Sequence, residues 1–115
     1  MSTALVGFPG LDYSEHCVLL ERGEPLSAEK LVAITRIVLR LDSGIAVDSG
    51  QEPDAFAWPI DTEWQKRPAK GVRIRLGDAA IPPGKYVGTL VIFDPDHPRG
   101  VPWDTVTVGI KDFVP

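Results

Sequence analysis

Between residues 72 and 110 the apolar positions alternate with the two-residue period of β-strands. Val72, Ile74 and Leu76 share one side of a strand, and Arg73 and Arg75 share the other. From residue 86 both parities are apolar. Tyr86, Gly88, Leu90 and Ile92 stand against Val87, Thr89, Val91 and Phe93. A strand covered on both faces reads this way and belongs in the middle of a sheet. Gly88 interrupts it, as glycine does where another group approaches closely or a bulge forms. Val106, Val108 and Ile110 then alternate with Thr105, Thr107 and Gly109, the pattern of a half-exposed strand. Pro82-Pro83-Gly84 punctuates the first pair of strands, and the polar run from Asp94 to Gly100 punctuates the second. Three strands and two turns in forty residues predict an all-β protein.

The remainder is less regular. Residues 15–22 read as the first strand, with His16, Val18 and Leu20 alternating against Cys17, Leu19 and Glu21. In residues 26–41 two periods compete. Ser27 is a good helix cap, and Leu31, Ile34, Val38 and Leu41 have helical spacing. Val32, Ile34, Thr35, Ile37 and Val38 are β-branched, however, and Ile37, Leu39 and Leu41 alternate with Arg36, Val38 and Arg40. The pattern predicts a short turn over 27–30, a strand over 33–42, and a hairpin through Asp42-Ser-Gly44 into 45–49. Residues 50–70 hold Pro53, Pro59 and Pro68 together with Phe56, Trp58 and Trp64, and read as a long irregular connection. One short strand at 55–58 is expected within it, ended by Pro59. Connections of that length often carry function or contact a partner. Residues 1–13 read as an N-terminal arm made adhesive by Leu5, Val6 and Phe8. Such an arm packs along its own domain or lies on a neighbouring subunit. Residues 14–115 are the domain proper.

Composition narrows the class. The chain has 115 residues, enough for one domain with one core. Eleven glycines and eleven prolines suit a loop-rich β fold. The net charge is −4 with both signs interspersed, and no basic block predicts contact with nucleic acid. No apolar run has the length of a membrane span, and the first ten residues lack a basic region and a signal core. The single cysteine, Cys17, has no internal disulfide partner and leans toward a protein made in the cytoplasm.

The search for chemistry excludes more than it finds. There is no glycine-rich phosphate loop, no paired-cysteine metal motif and no His-Glu-x-x-His, so no catalytic residue, cofactor or metal is expected. Asp94-Pro-Asp96-His97, with Asp104, has the donor types for a cation, but Asp-Pro and His-Pro are also the composition of a tight turn. His16 and Cys17 are adjacent on a strand and point to opposite faces, which rules out a pair by adjacency. Asp61 and Glu63 read as solvated acids. Trp58, Trp64 and Trp103 fall at loop or strand ends, where aromatics close a small core, anchor a protein interface or stack on a sugar ring. Leu5, Val6, Phe8, Phe56, Trp58, Trp64 and Trp103 are the interface candidates.

Gly84-x-Tyr86 opens a strand after an Asp-bearing corner at Asp78. Immunoglobulin-like sandwiches carry a tyrosine in that setting, with its hydroxyl bonded back to the corner. The second cysteine of an immunoglobulin domain would fall at residue 88, which here is Gly88. A longer string follows the same order: Ile34-Thr-Arg-Ile-Val-Leu, Val47-Asp-Ser, Phe56-x-Trp58, Val72-Arg-Ile-Arg-Leu-Gly, Ile81-Pro-Pro-Gly-Lys-Tyr86, Leu90-Val-Ile-Phe-Asp-Pro-Asp96 and Gly100-Val-x-Trp103. Across residues 33–110 this resembles small structural proteins of tailed bacteriophages or prophages. Pro102 directly before Trp103 departs from the usual pattern. The resemblance implies a single-domain, all-β, immunoglobulin-like antiparallel β-sandwich. It implies a non-enzymatic virion part of the tail, tail tip or neck, made in the host cytoplasm, whose partners are other virion proteins and copies of itself in an oligomer or ring. The alternative reading is a carbohydrate- or host-receptor-binding module that uses the tryptophans, with a glycan as ligand.

Overall fold

Burial follows the alternation. In the computed structural model, which describes residues 3–8 and 10–111, the inward residues of two sheets meet in one apolar core. The strands in chain order are β1 (Thr3–Gly7), β2 (Ser14–Cys17), β3 (Leu20–Glu21), β4 (Glu24–Pro25), β5 (Arg36–Leu41), β6 (Ala46–Asp48), β7 (Phe56–Trp64), β8 (Arg67–Arg75), β9 (Gly84–Asp94) and β10 (His97–Ile110). One short helix, α1 (Ala28–Ala33), precedes β5, and a 3-10 turn (Pro53–Ala55) precedes β7. The larger sheet has the order β1-β10-β9-β5-β6, the smaller β2-β8-β7, and β3 and β4 form a separate two-stranded ribbon. All pairings are antiparallel except β1 with β10.

β9 lies between β10 and β5, as its two apolar faces predict. Leu90 and Ile92 face the shared core with Ile37 and Leu39 of β5 and Val106 and Val108 of β10. Val91 and Phe93 face the other way and form a small second cluster with Val38, with the Arg36 guanidinium 4.7 Å from the Phe93 ring centre. From the smaller sheet, Cys17, Phe56, Val72 and Ile74 close the core. Gly88 is a close approach. A Cβ there would lie 2.9 Å from Leu39 Cδ1 and 3.2 Å from Val106 Cγ2. The Tyr86 hydroxyl donates to the Pro82 carbonyl at 2.5 Å, tying the start of β9 to the corner that precedes it.

Four segments differ from the sequence reading. Residues 28–33 are a helix rather than a turn. The Ser27 side chain accepts from the Lys30 N–H at 3.2 Å, Glu29 complements the helix start, and Leu31 is fully buried. The β-branched Ile34 and Thr35 then return the chain to extended backbone, so the strand begins at Arg36. The first strand is split, because β2 ends at Cys17 and β3 starts at Leu20. Thr3–Gly7, within the segment read as an arm, is the edge strand of the larger sheet, with Leu5 only 2% exposed in the core.

The largest difference is residues 50–70, which are no loop. β7 and β8 pair from Phe56–Ile74 to Trp64–Arg67 and form a long hairpin. Pro59 does not end β7, because β7 is a sheet edge where a missing N–H leaves no ladder bond broken. The Trp58–Pro59 peptide is cis and coincides with a register shift between Ala57 and Ile60. Gln65 (φ 50°) and Lys66 (φ 62°) make the two-residue turn, both in the left-handed region that a hairpin of this length requires.

Candidate functional site

The hairpin runs further than the sheet that supports it. β2 pairs with β8 only over Val72–Arg75, so residues 60–70 continue as a two-stranded ribbon. At its end the Arg67 guanidinium stacks 5.1 Å from the Trp64 ring centre. Lys70 and Asp61 form an ion pair along the ribbon, and Arg67 reaches to 4.0 Å from Glu24 of β4. Glu63, Gln65, Lys66, Arg67 and Pro68 are exposed, and Trp64 is half-buried. A cross-strand aromatic–arginine pair held on a short turn presents a large, pre-ordered contact surface at low entropic cost.

The other interface candidates lie elsewhere and in different states. Phe56 is 4% exposed and belongs to the core. Trp58 packs on the core and its indole N–H donates to the Ile34 carbonyl at 3.1 Å. Trp103 also packs on the core and donates to the Leu20 carbonyl at 3.2 Å. The three tryptophans therefore form no common platform. Trp58 and Trp103 close the core, and Trp64 stands at the ribbon end. Leu5 is buried, Val6 is half-buried on the outer face of β1, and the half-buried Phe8 meets the Tyr13 ring edge-on at 5.1 Å. The sequence reading missed Arg67, whose partnership with Trp64 needs the hairpin, and the exposed apolar positions Val32 and Val87.

A cleft of about 330 Å³ opens where α1, the β3–β4 ribbon and the β9–β10 turn converge. Leu26, Ile34, Ile92 and Trp103 line its base, and Glu21, Lys30, Asp94 and His97 its rim. Glu21 pairs with Lys30, and His97 Nδ1 lies 2.9 Å from Asp94 Oδ1. The hydrogen bond from His97 holds the Asp94 carboxyl below its usual range, opposed by desolvation. Asp94 and His97 thus pair across the tight turn Pro95-Asp96, and Glu21 and Lys30 join β3 to α1. Among the described residues no three His, Cys, Asp or Glu side chains are placed to hold a metal ion. His16 faces outward, with Nδ1 3.3 Å from Thr62 Oγ1, and Cys17 is buried on the opposite side of β2. No helix among the described residues is long and apolar enough to cross a membrane.

No family model, no curated protein and no solved structure matches this chain.

Proposed function

We propose that this protein is a non-enzymatic structural part of a tailed-phage or prophage virion, a tail, tail-tip or neck accessory that works by protein–protein contact. The observation that carries the contact reading is the exposed end of the β7–β8 ribbon, where Arg67 stacks on Trp64. Tryptophan and arginine are among the residues most enriched where binding energy concentrates, and here both stand at an exposed hairpin end whose other residues are polar or proline. A scaffold of the immunoglobulin-like kind suits that role, because its loops and edges are free to diversify while the two sheets hold still.

Three features support the immunoglobulin-like assignment. In chain order β2, β5, β6, β7, β8, β9 and β10 take the places of strands B, C, C′, D, E, F and G, with B-E-D in one sheet and G-F-C-C′ in the other. The Tyr86 hydroxyl bonds back to Pro82 at the start of the F-like strand. Cys17 lies on the B-like strand, and Gly88 stands on the F-like strand two residues after Tyr86, the place of the second cysteine in disulfide-bonded immunoglobulin domains. The virion assignment comes from the sequence resemblance.

Mass spectrometry of particles purified from a phage or induced prophage that carries the gene tests this directly. The chain is expected in the particle at a fixed copy number. Its absence from washed particles overturns the proposal. The carbohydrate alternative has only Trp64 to draw on, because the other two indoles are packed and hydrogen-bonded. It predicts a Trp64 fluorescence shift on addition of host polysaccharide, whereas the contact reading predicts none.

A further inference from the structure

β1 is an edge without a guard. The other sheet edges carry devices that discourage strand pairing. β6 is three residues long and ends in Asp48, whose carboxylate is held by Arg36. β7 contains Pro59, Asp61 and Glu63, and β2 is four residues long with Glu15 and His16. β1 reads Thr-Ala-Leu-Val-Gly, with no charge, proline or bulge, and among the described strands none flanks it on the side away from β10. The Gly7 carbonyl accepts from the Lys111 N–H at 3.0 Å. Gly7 therefore turns its peptide groups toward β10, as by alternation do Leu5 and Thr3. Ala4 and Val6 turn their N–H and C=O groups outward.

We propose that this edge is a self-pairing site, where β1 of one copy adds antiparallel to β1 of a second copy and joins the two larger sheets into one. This deepens the contact reading above by naming one partner, and rests on it only in taking assembly as the chain's role. A two-fold axis midway between the Leu5 residues of the two copies sets Ala4 of each copy opposite Val6 of the other. Each such pair exchanges two N–H···O bonds, so the outward groups of both residues are satisfied in both copies. The match is isologous: the same short segment serves both sides and needs no second sequence. No charged side chain on β1 selects a foreign strand instead. The side chains agree with this. Leu5 is anchored in its own core, and Ala4 and Val6 border an apolar groove of about 430 Å³ that runs over Gly109 to the half-exposed Val87. The join would extend that apolar strip across the dimer. So short a join buries less than the roughly 1,200 Å² of a tight complex, which places it among weak, concentration-driven contacts that repeat usefully around a particle.

Sedimentation of the full-length chain up to ~1 mM tests it, in the weak range expected of a small interface. Wild type is expected to dimerise reversibly. The double variant Ala4→Lys/Val6→Lys sets like charges opposite each other and should sediment as a monomer, as should Ala4→Glu/Val6→Glu. An equimolar mixture of the two should recover the dimer, a result that neither misfolding nor an unrelated interface gives. Val6→Pro removes only an outward N–H and should weaken the dimer by about tenfold or more while the thermal transition is kept. A wild type that stays monomeric at the highest concentration overturns the proposal. So do lysine and glutamate variants that dimerise as well as wild type, or a mixture that fails to pair. A monomer found in virions would sink the self-pairing and spare the virion role, whereas a β1-paired dimer absent from particles would do the reverse.

Discussion

Leu90 is 1% exposed at the centre of β9, with β5 and β10 on its two sides. Its truncation to alanine should cost about 2–5 kcal/mol in chemical denaturation, the range for a large-to-small change that the core cannot refill. Gly88, two residues earlier, tests the opposite limit. Gly88→Ala would drive a methyl group against Leu39, Leu41 and Val106, and an overpacked site of this kind should lose about 1–3 kcal/mol. A loss below about 0.5 kcal/mol for either variant would show that the core is not close-packed around β9. Both positions were legible in the sequence, Leu90 from the double-faced apolar pattern and Gly88 from its place inside it. Leu5 was not. Three apolar residues among glycines and a proline have the same pattern in a tail and in an edge strand, and only the unfilled place beside Val106 and Val108 of β10 decides between them.

At the scale of elements, the β7–β8 hairpin was hidden for physical reasons. Its turn, Gln65-Lys66, has none of the Asn, Asp or Gly that normally announces left-handed backbone. Pro59 and Pro68 look like breakers, yet Pro59 lies on an edge strand and Pro68 on the part of β8 that has only β7 beside it. Helix α1 was half-legible, since the Ser27 cap was visible but the β-branched residues after it argued for a strand. Replacing Gln65-Lys66 by Asn-Gly should raise stability by roughly 1 kcal/mol, by removing the cost of two ordinary residues at positive φ. Contact through Trp64 and Arg67 should be retained, and calorimetry together with a binding assay on the same variant reads both. Ser27→Ala should cost about 1 kcal/mol through loss of the cap. An unchanged melting temperature would mean that α1 is held by Leu31 alone.

The whole molecule responds to acid through its carboxylates. The Asp48 carboxyl is held below its usual value of 3.8 by the Arg36 hydrogen bonds, helped by the Gly50 N–H and opposed by desolvation. A depressed folded-state pKa contributes stability that is fully present above the unfolded value and is lost as pH falls through the folded one. The melting temperature should therefore drop as pH is lowered from about 5 through the carboxylate range. In Asp48→Asn that drop should be shallower, with part of the stability already missing at neutral pH. Asp94, held down by His97, acts in the same direction. Equal acid slopes for wild type and Asp48→Asn would show that the pair contributes nothing to the titration of the fold.

The same scale holds the functional claim, that the protein works by contact and that the ribbon end is where contact concentrates. The most direct measurement is incorporation in trans. Wild type or Trp64→Ala/Arg67→Ala is supplied to particles assembled without the chromosomal copy of the gene, and the chain in washed virions is quantified by mass spectrometry. Neither side chain closes the core, so the variant should keep the wild-type melting temperature to within the small range of surface substitutions. The account predicts wild type in the particle and the double variant reduced by tenfold or more. Equal incorporation of the two would contradict the assignment of the ribbon, and the absence of wild type from the particle would contradict the account as a whole.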